Sequence, residues 1–255
     1  MPLLETDRLA VRIGSVEVCR QLNLRINAGE CWGILGRNGT GKTTLMHTLA
    51  GLHAADSGTV TLNGKSLAGL SRREIARQIG VLLQDHRDSF PASVMETVLI
   101  GRHPYLGPWQ WETATDHASA LAALRAVGLE GMEARNVATL SGGERRRLGI
   151  ATLLTQDPEL LLLDEPANHL DIHQQIQILN LLQKQARAKA KALLVVLHDI
   201  NLAARYCDRF LLLFGNGETA QGDVGEVLTQ SVLERLYIHP LQALPGPHGP
   251  VWVPK

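Results

Sequence analysis

The apolar residues of this chain change their spacing several times, and each change marks a boundary between elements. Over residues 3–35 they form short alternating or continuous runs, broken at Gly14-Ser15 and at Asn27-Ala28-Gly29-Glu30. Turn-forming residues between such runs predict an antiparallel β start. Residues 31–35 are the last of these strands. A helix follows from Lys42, then a strand near 58–62, a helix at about 71–77, and an apolar strand over 79–83 that ends at Gln84. Strand spacing almost disappears from about 85 to 139, a stretch that reads as several helices, with 118–127 the clearest. Beyond it the two patterns alternate. Helices begin at Ser141, Asp171 and Asn201, and strands cover 160–163, 193–197 and 210–214. That alternation predicts a largely parallel sheet, because parallel neighbours need a crossover connection. Past Ile238 the chain is rich in Pro and Gly, which predicts an extended strap rather than a helix.

The order of elements predicts an α/β protein with a mostly parallel sheet, an N-terminal antiparallel β subdomain and an all-helical insertion at about 85–150. With 255 residues, 45% of them hydrophobic, the chain can bury one large core. We expect a single domain over 1–255, its strap at about 238–255. Twenty-five basic and 25 acidic residues cancel, which argues against nucleic acid held through its phosphates. The longest apolar stretches, such as 160–163 and 192–197, fall far short of the roughly 18 residues that cross a bilayer. Residues 1–12 carry acids early and lack the apolar core of a secretory signal. The expectation is a chain soluble by itself. Cys19, Cys31 and Cys207 are odd in number and widely spaced, which fits a reducing cytoplasm better than a disulfide framework or a zinc site.

The chemistry enters at Gly36-Arg37-Asn38-Gly39-Thr40-Gly41-Lys42-Thr43-Thr44, which matches the phosphate-loop pattern without a gap, between a strand and a helix. Its glycines let the backbone wrap closely around phosphates, and the loop N–H groups and the start of the next helix point at negative charge. Lys42 would reach the β- and γ-phosphates of a nucleoside triphosphate, and the Thr43 hydroxyl would hold Mg²⁺. The expected fold is therefore a P-loop NTPase core.

Leu160-Leu161-Leu162-Leu163-Asp164-Glu165 is an apolar strand that ends in two carboxylates. Read plainly, it is a strand with acids at its exposed end; beside a phosphate loop, Asp164 would anchor Mg²⁺ and Glu165 would polarise the attacking water as a general base. Leu140-Ser141-Gly142-Gly143-Glu144 is an ordinary helix start, with Ser141 as cap and Glu144 completing a capping box. Its two glycines also leave the first N–H groups open to an anion. Both descriptions can hold, although one chain with one phosphate loop has no evident use for a second phosphate site.

Together these residues resemble a known family, the ATP-binding subunits of ABC transporters. Ser141 to Glu144 is similar to its signature sequence, Asp164-Glu165 to its second Walker motif, Gln84 to its Q-loop, Leu170-Asp171 to its D-loop and His198 to its switch histidine. The resemblance covers roughly residues 4–237, in the family's order. It implies a head-to-tail pair of identical subunits, in which the signature helix of one closes over ATP held by the phosphate loop of the other. The second phosphate site is thereby given a purpose. It implies further that His198 bonds the γ-phosphate and positions the water, that Gln84 serves the metal and the reaction, and that Asp171 lies against the nucleotide across the dimer. The family commonly has an adenine-stacking aromatic in the first strand region, where this chain has Ile13. Ile offers no π face, so an aromatic contribution of roughly 0.5–1.5 kcal/mol is not expected there. His169 and His173 lie four apart but read as polar residues at a helix start, with no third metal ligand evident. Arg145, Arg146 and Arg147 read as a solvated face of the signature helix.

With no spanning segment, the chain resembles the separate ATPase of a prokaryotic importer. Gly101-Arg102-His103-Pro104-Tyr105-Leu106-Gly107 and Asn168-His169-Leu170-Asp171-Ile172 are similar to the subfamily that imports iron-siderophores, haem and cobalamin. Ser89-Phe90-Pro91 followed by Val94 leans toward its haem and siderophore members. The resemblance implies integral-membrane permease subunits docked near Gln84 and the insertion, a periplasmic solute-binding protein acting indirectly, and a peripheral position on the cytoplasmic face of the inner membrane. The other reading is a soluble ABC ATPase of a non-transport process such as iron–sulfur cluster assembly.

Overall fold

A computed structural model describes residues 1–83, 91–168, 170–188, 191–246 and 249–255. The chain opens with strands β1 (Leu4–Ile13) and β2 (Val16–Leu22), joined by a two-residue hairpin. Gly14, at φ 57°, supplies the left-handed backbone that such a turn needs. Strand β3 (Arg25–Ile26) pairs with the start of β1. Strand β5 (Ser57–Leu62) also pairs antiparallel with β1, and β6 (Lys65–Ser66) extends that sheet. Leu4, Leu9, Val11 and Val18 turn inward. This is the antiparallel subdomain expected from the alternating N-terminal pattern.

Between β3 and β5 the chain enters a second sheet through β4 (Cys31–Gly36), followed by helix α1 (Lys42–Leu49). Helix α2 (Arg72–Gln78) leads into β7 (Ile79–Leu82). The insertion contains α3 (Val94–Leu99), α4 (Ala114–Ala126) and α5 (Gly142–Gln156). Strands β8 (Leu160–Asp164), β9 (Ala192–Val196) and β10 (Arg209–Leu213) then alternate with α6 (Ile172–Ala188) and α7 (Ile200–Tyr206). Among the described residues the strand order is β11-β10-β4-β9-β8-β7, parallel throughout except for edge strand β11 (Thr219–Asp223). Short helices α8 (Val224–Val227) and α9 (Gln230–Tyr237) follow. The expected elements include neither β11 nor α9; α9 has its Val232, Leu233, Leu236 and Tyr237 at helical spacing, whereas β11 reads Thr-Ala-Gln-Gly-Asp and carries almost no apolar signal.

Strands β8 and β9 are buried on both faces, which is why they read as unbroken apolar runs. Alternate residues feed two cores. Leu161, Leu163, Leu193 and Val195 pack with α3 to α6, while Leu160, Leu162, Leu194 and Val196 pack with α1 and the antiparallel sheet. The insertion therefore shares its core with one face of the parallel sheet.

The C-terminal tail differs from a simple extended strap. Strand β12 (Leu241–Leu244) pairs antiparallel with β13 (Val251–Pro254), so the tail doubles back as a hairpin. Its Trp252 is buried, and Asn201 of α7 accepts from the Trp252 N–H at 2.8 Å and donates to its carbonyl at 3.1 Å. Pairing the two halves satisfies backbone groups that a lone strap would leave to water.

Within the insertion, Asp116 accepts from the Thr113 N–H at 2.8 Å, the Thr113 hydroxyl at 2.7 Å and Arg102 Nε at 2.7 Å. Those donors, the Thr113 N–H foremost, pull its carboxyl down to about 2 from an ordinary 3.8. A depressed folded-state value stabilises the fold above the unfolded value, and that stabilisation is lost as pH falls from 3.8 to about 2. Asp116→Asn should therefore lower the urea midpoint at pH 7, with the gap from wild type closing as the titration is carried through this window.

Candidate nucleotide site

Strand β4, fully buried, delivers the glycine-rich segment to the carboxyl edge of the sheet. Two of its glycines cannot be replaced without displacement. A Cβ on Gly36 would lie 2.7 Å from the Leu213 carbonyl, and one on Gly41, at φ 89°, would lie 2.3 Å from Val18 Cγ2. Thr40 Oγ1 donates to the Arg37 carbonyl at 2.9 Å and folds the loop onto itself. Lys42 is only 7% exposed, and its ammonium donates to the carbonyls of Gly36 at 2.8 Å and Arg37 at 2.9 Å. Burial lowers its pKa, while Glu165 and Asp164 oppose that shift.

The two acids arrive from β8. Asp164 Oδ2 accepts from Thr43 Oγ1 at 2.5 Å. Burial raises its carboxyl pKa, with the Thr43 hydrogen bond acting against it. A hydroxyl and a carboxylate side by side are hard oxygen donors of the kind that suit Mg²⁺, so this pair fits the ion. No cluster of three or more His, Cys, Asp or Glu side chains suited to a metal occurs among the described residues, and His173 is solvent-exposed. Glu165 has φ 52°, a left-handed backbone uncommon outside glycine and a frequent mark of functional sites. Its N–H donates to the Val196 carbonyl at 3.2 Å. One carboxylate oxygen meets His198 Nε2, and the other accepts from the Asn168 side-chain amide.

Ile13, Asn38, Gly39, Gly41, Lys42, Thr43, Thr44, Glu165 and His198 line one cleft of about 370 Å³. The sequence-predicted residues of the phosphate loop, the base and the histidine are thus brought together. Ile13 contributes an aliphatic wall, 49% exposed. The Ser141 segment is not among the lining residues. Ser141 caps α5, its Oγ accepting from the Glu144 N–H at 3.2 Å while Glu144 returns to the Ser141 N–H at 2.7 Å. Gly142 faces open space, where an added Cβ would meet nothing within 4 Å. Asp171 is exposed and accepts from the Gln174 N–H at 2.8 Å, at the start of α6. Gln84 and His169 lie outside the described residues.

Two residues near the acids have no role in the site on the motif reading. Asn168 is one. Arg146 is the other, and here the expectation of a solvated arginine face is corrected. Arg146 is 8% exposed and donates to the carbonyls of Asp164, Leu83 and Pro166, tying the acid-bearing turn to α5. The helical period could have separated it from its neighbours, because positions 146, 150 and 153 fall on one buried stripe.

A phosphate loop after one parallel strand, acids after a second and a histidine after a third, all at the carboxyl edge, define a P-loop nucleotide-binding protein. A family model described as ABC transporter matches residues 19–168, and the chain belongs to that family. It is 36% identical to the ferric enterobactin transport ATP-binding protein of Escherichia coli (strain K12) over 234 residues, 92% of this chain and 86% of that one. It is 37% identical to the hemin import ATP-binding protein of Bordetella avium (strain 197N) over 251 residues, 96% and 95% of the two chains. Among solved structures, an inward-facing ABC transporter of the metal-chelate type superposes with a TM-score of 0.87 at 26% identity, covering 100% of this chain and 98% of the other. The family and fold class expected from the motifs are those found.

The Arg146 bonds generate a stability test. Arg146→Met should lower unfolding free energy by roughly 1–3 kcal/mol, because it strands buried carbonyls, whereas a substitution on a solvated face would stay within about 0.5 kcal/mol. Urea denaturation followed by circular dichroism measures the difference.

Proposed function

We propose that this chain is the ATP-hydrolysing subunit of a membrane importer for iron-siderophore, haem or cobalamin, working as a head-to-tail homodimer. The observation that carries the reading is the division of the phosphate-binding parts. Lys42, Thr43, Glu165 and His198 line one cleft, while the Ser141-Gly142-Gly143 start of α5, exposed at Ser141 and Gly142, does not line it. A complete site then needs α5 of a second copy. The relatives named above carry ferric enterobactin transport and hemin import in their names, and this favours import over a soluble role such as iron–sulfur cluster assembly.

In this reading the loop from Gly36 to Thr44 and the ammonium of Lys42 hold the β- and γ-phosphates. Thr43 and Asp164 would hold Mg²⁺, with Gln84 assigned to the same ion by family resemblance; the ion would neutralise charge on the phosphate oxygens. Glu165 accepts a proton from water as its oxygen attacks the γ-phosphorus, and the bond to the β–γ bridging oxygen breaks to give ADP and phosphate. His198, against the Glu165 carboxylate, orients that water. Ser141, Gly142, Gly143, Glu144 and Asp171 of the other copy close over the nucleotide, and Ile13 packs on the base. Closure is a ligand-driven population shift, because ATP touches both copies only when they are together.

No helix among the described residues is long and apolar enough to cross a membrane. Closure would therefore be passed to permease subunits bound at the helical insertion near Gln84, on the cytoplasmic face of the inner membrane. A periplasmic binding protein would take part only through the permease. We treat residues 1–255 as one ABC-type domain, the insertion at about 85–150 included.

Two experiments test the assignment. Lys42→Ala should abolish equilibrium ATP binding, while Glu165→Gln should bind normally and hydrolyse roughly 10²–10⁴-fold more slowly; near-normal phosphate release by Glu165→Gln would remove it from the catalytic set. In the Glu165→Gln background, sedimentation should detect ATP-dependent dimers that Ser141→Arg abolishes without loss of monomer binding. Dimers that persist in the double variant would refute the shared site.

A further inference from the structure

The turn after β8 closes on itself in a way that the hydrolytic chemistry does not by itself require. The Asn168 N–H donates to the Glu165 carbonyl at 3.1 Å, so residues 165–168 form a turn. The Asn168 side-chain amide then reaches back and donates to one carboxylate oxygen of Glu165. His198 Nε2 meets the other oxygen, and the backbone of Glu165 is held at φ 52° with its N–H on Val196. Both oxygens and both backbone groups of Glu165 are thus engaged. A carboxylate swings about its side-chain torsions unless each oxygen has a fixed partner, and a base that swings spends less time aligned with the water it must deprotonate.

Asn168 stands apart from the nucleotide cleft. It lines a separate cavity of about 170 Å³ that it shares with Glu165, His198, Gln175 and Asp199, and it is not among the residues that line the cleft beside Lys42. We infer that Asn168 is a positioning residue for hydrolysis. It holds the Glu165 carboxylate by one oxygen from outside the cleft, leaving His198 and the water to share the other. Its role is that of a donor: only the amide N–H groups can serve an ionised carboxylate, which accepts and cannot donate. The inference rests on the reading of Glu165 as the base.

The experiment compares three substitutions by steady-state and single-turnover phosphate release, with ATP binding measured alongside. Asn168→Ala should lower kcat by roughly tenfold with ATP affinity and KM unchanged, in line with one charge-assisted hydrogen bond lost. Asn168→Asp preserves shape and places a second carboxylate against Glu165, so it should be at least as slow as Asn168→Ala. A packing role would make the isosteric Asp the better tolerated of the two, and that result would overturn the proposal. In the Glu165→Gln background Asn168→Ala should slow the residual rate no further, because its effect runs through the carboxylate; an undiminished tenfold loss there would also overturn it. Normal turnover in both Asn168 variants, with Glu165→Gln inactive, would refute the positioning role alone. Near-normal turnover in Glu165→Gln would refute the base assignment and this inference together.

Discussion

The site depends on one hydrogen-bonded line across the parallel sheet. Val196 of β9 pairs with Ile34 of β4 on one side and with Asp164 of β8 on the other. Two residues past Ile34 the phosphate loop begins, one residue past Asp164 stands Glu165, and two residues past Val196 stands His198. All three strands are buried on both faces. A register slip of one residue would turn every side chain to the wrong core, so the ladder is strongly specified. The site inherits that specification: the loop, Glu165 and His198 leave the sheet at one level because their strands are paired in register at Val196.

Concentrating Lys42, Arg146, Asp164 and Glu165 in one interior region carries an electrostatic cost, since each is less than a tenth exposed. The arrangement offsets it with mixed sign and with backbone partners. The ammonium and the guanidinium bond to carbonyls while the carboxylates take a hydroxyl, an amide and an imidazole. The carbonyl partners of the Lys42 ammonium, Gly36 and Arg37, hold it at the glycine-rich loop.

What could be read beforehand was whatever is local in the chain. The phosphate loop and the Asp164-Glu165 pair are runs of consecutive residues, and the capping box of Ser141 and Glu144 spans a single helical turn. The alternating elements gave the parallel sheet because a strand buried on two faces has a distinct apolar signature. Arg146 was misread because a run of three arginines looks alike until helical phase is applied. The amide of Asn168 on Glu165 involves side-chain direction within a turn, which composition does not encode. The tail hairpin depends on pairing between residues thirteen apart, Leu241 with Pro254, and on docking to α7, which is distant in sequence. Edge strand β11 lacks apolar alternation altogether.

The contact between Gly41 and Val18 joins the two sheets at the point where the phosphate loop turns into α1. Because Gly41 has no side chain to yield and Val18 already fills the space, the separation between the loop and the β1–β2 hairpin that carries Ile13 is set by hard-core repulsion. The cleft is in effect a gauge with one fixed jaw on each sheet. Positions 18 and 41 are thereby linked: a side chain added at 41 would have to displace Val18, so the room allowed at one position is set by the residue at the other.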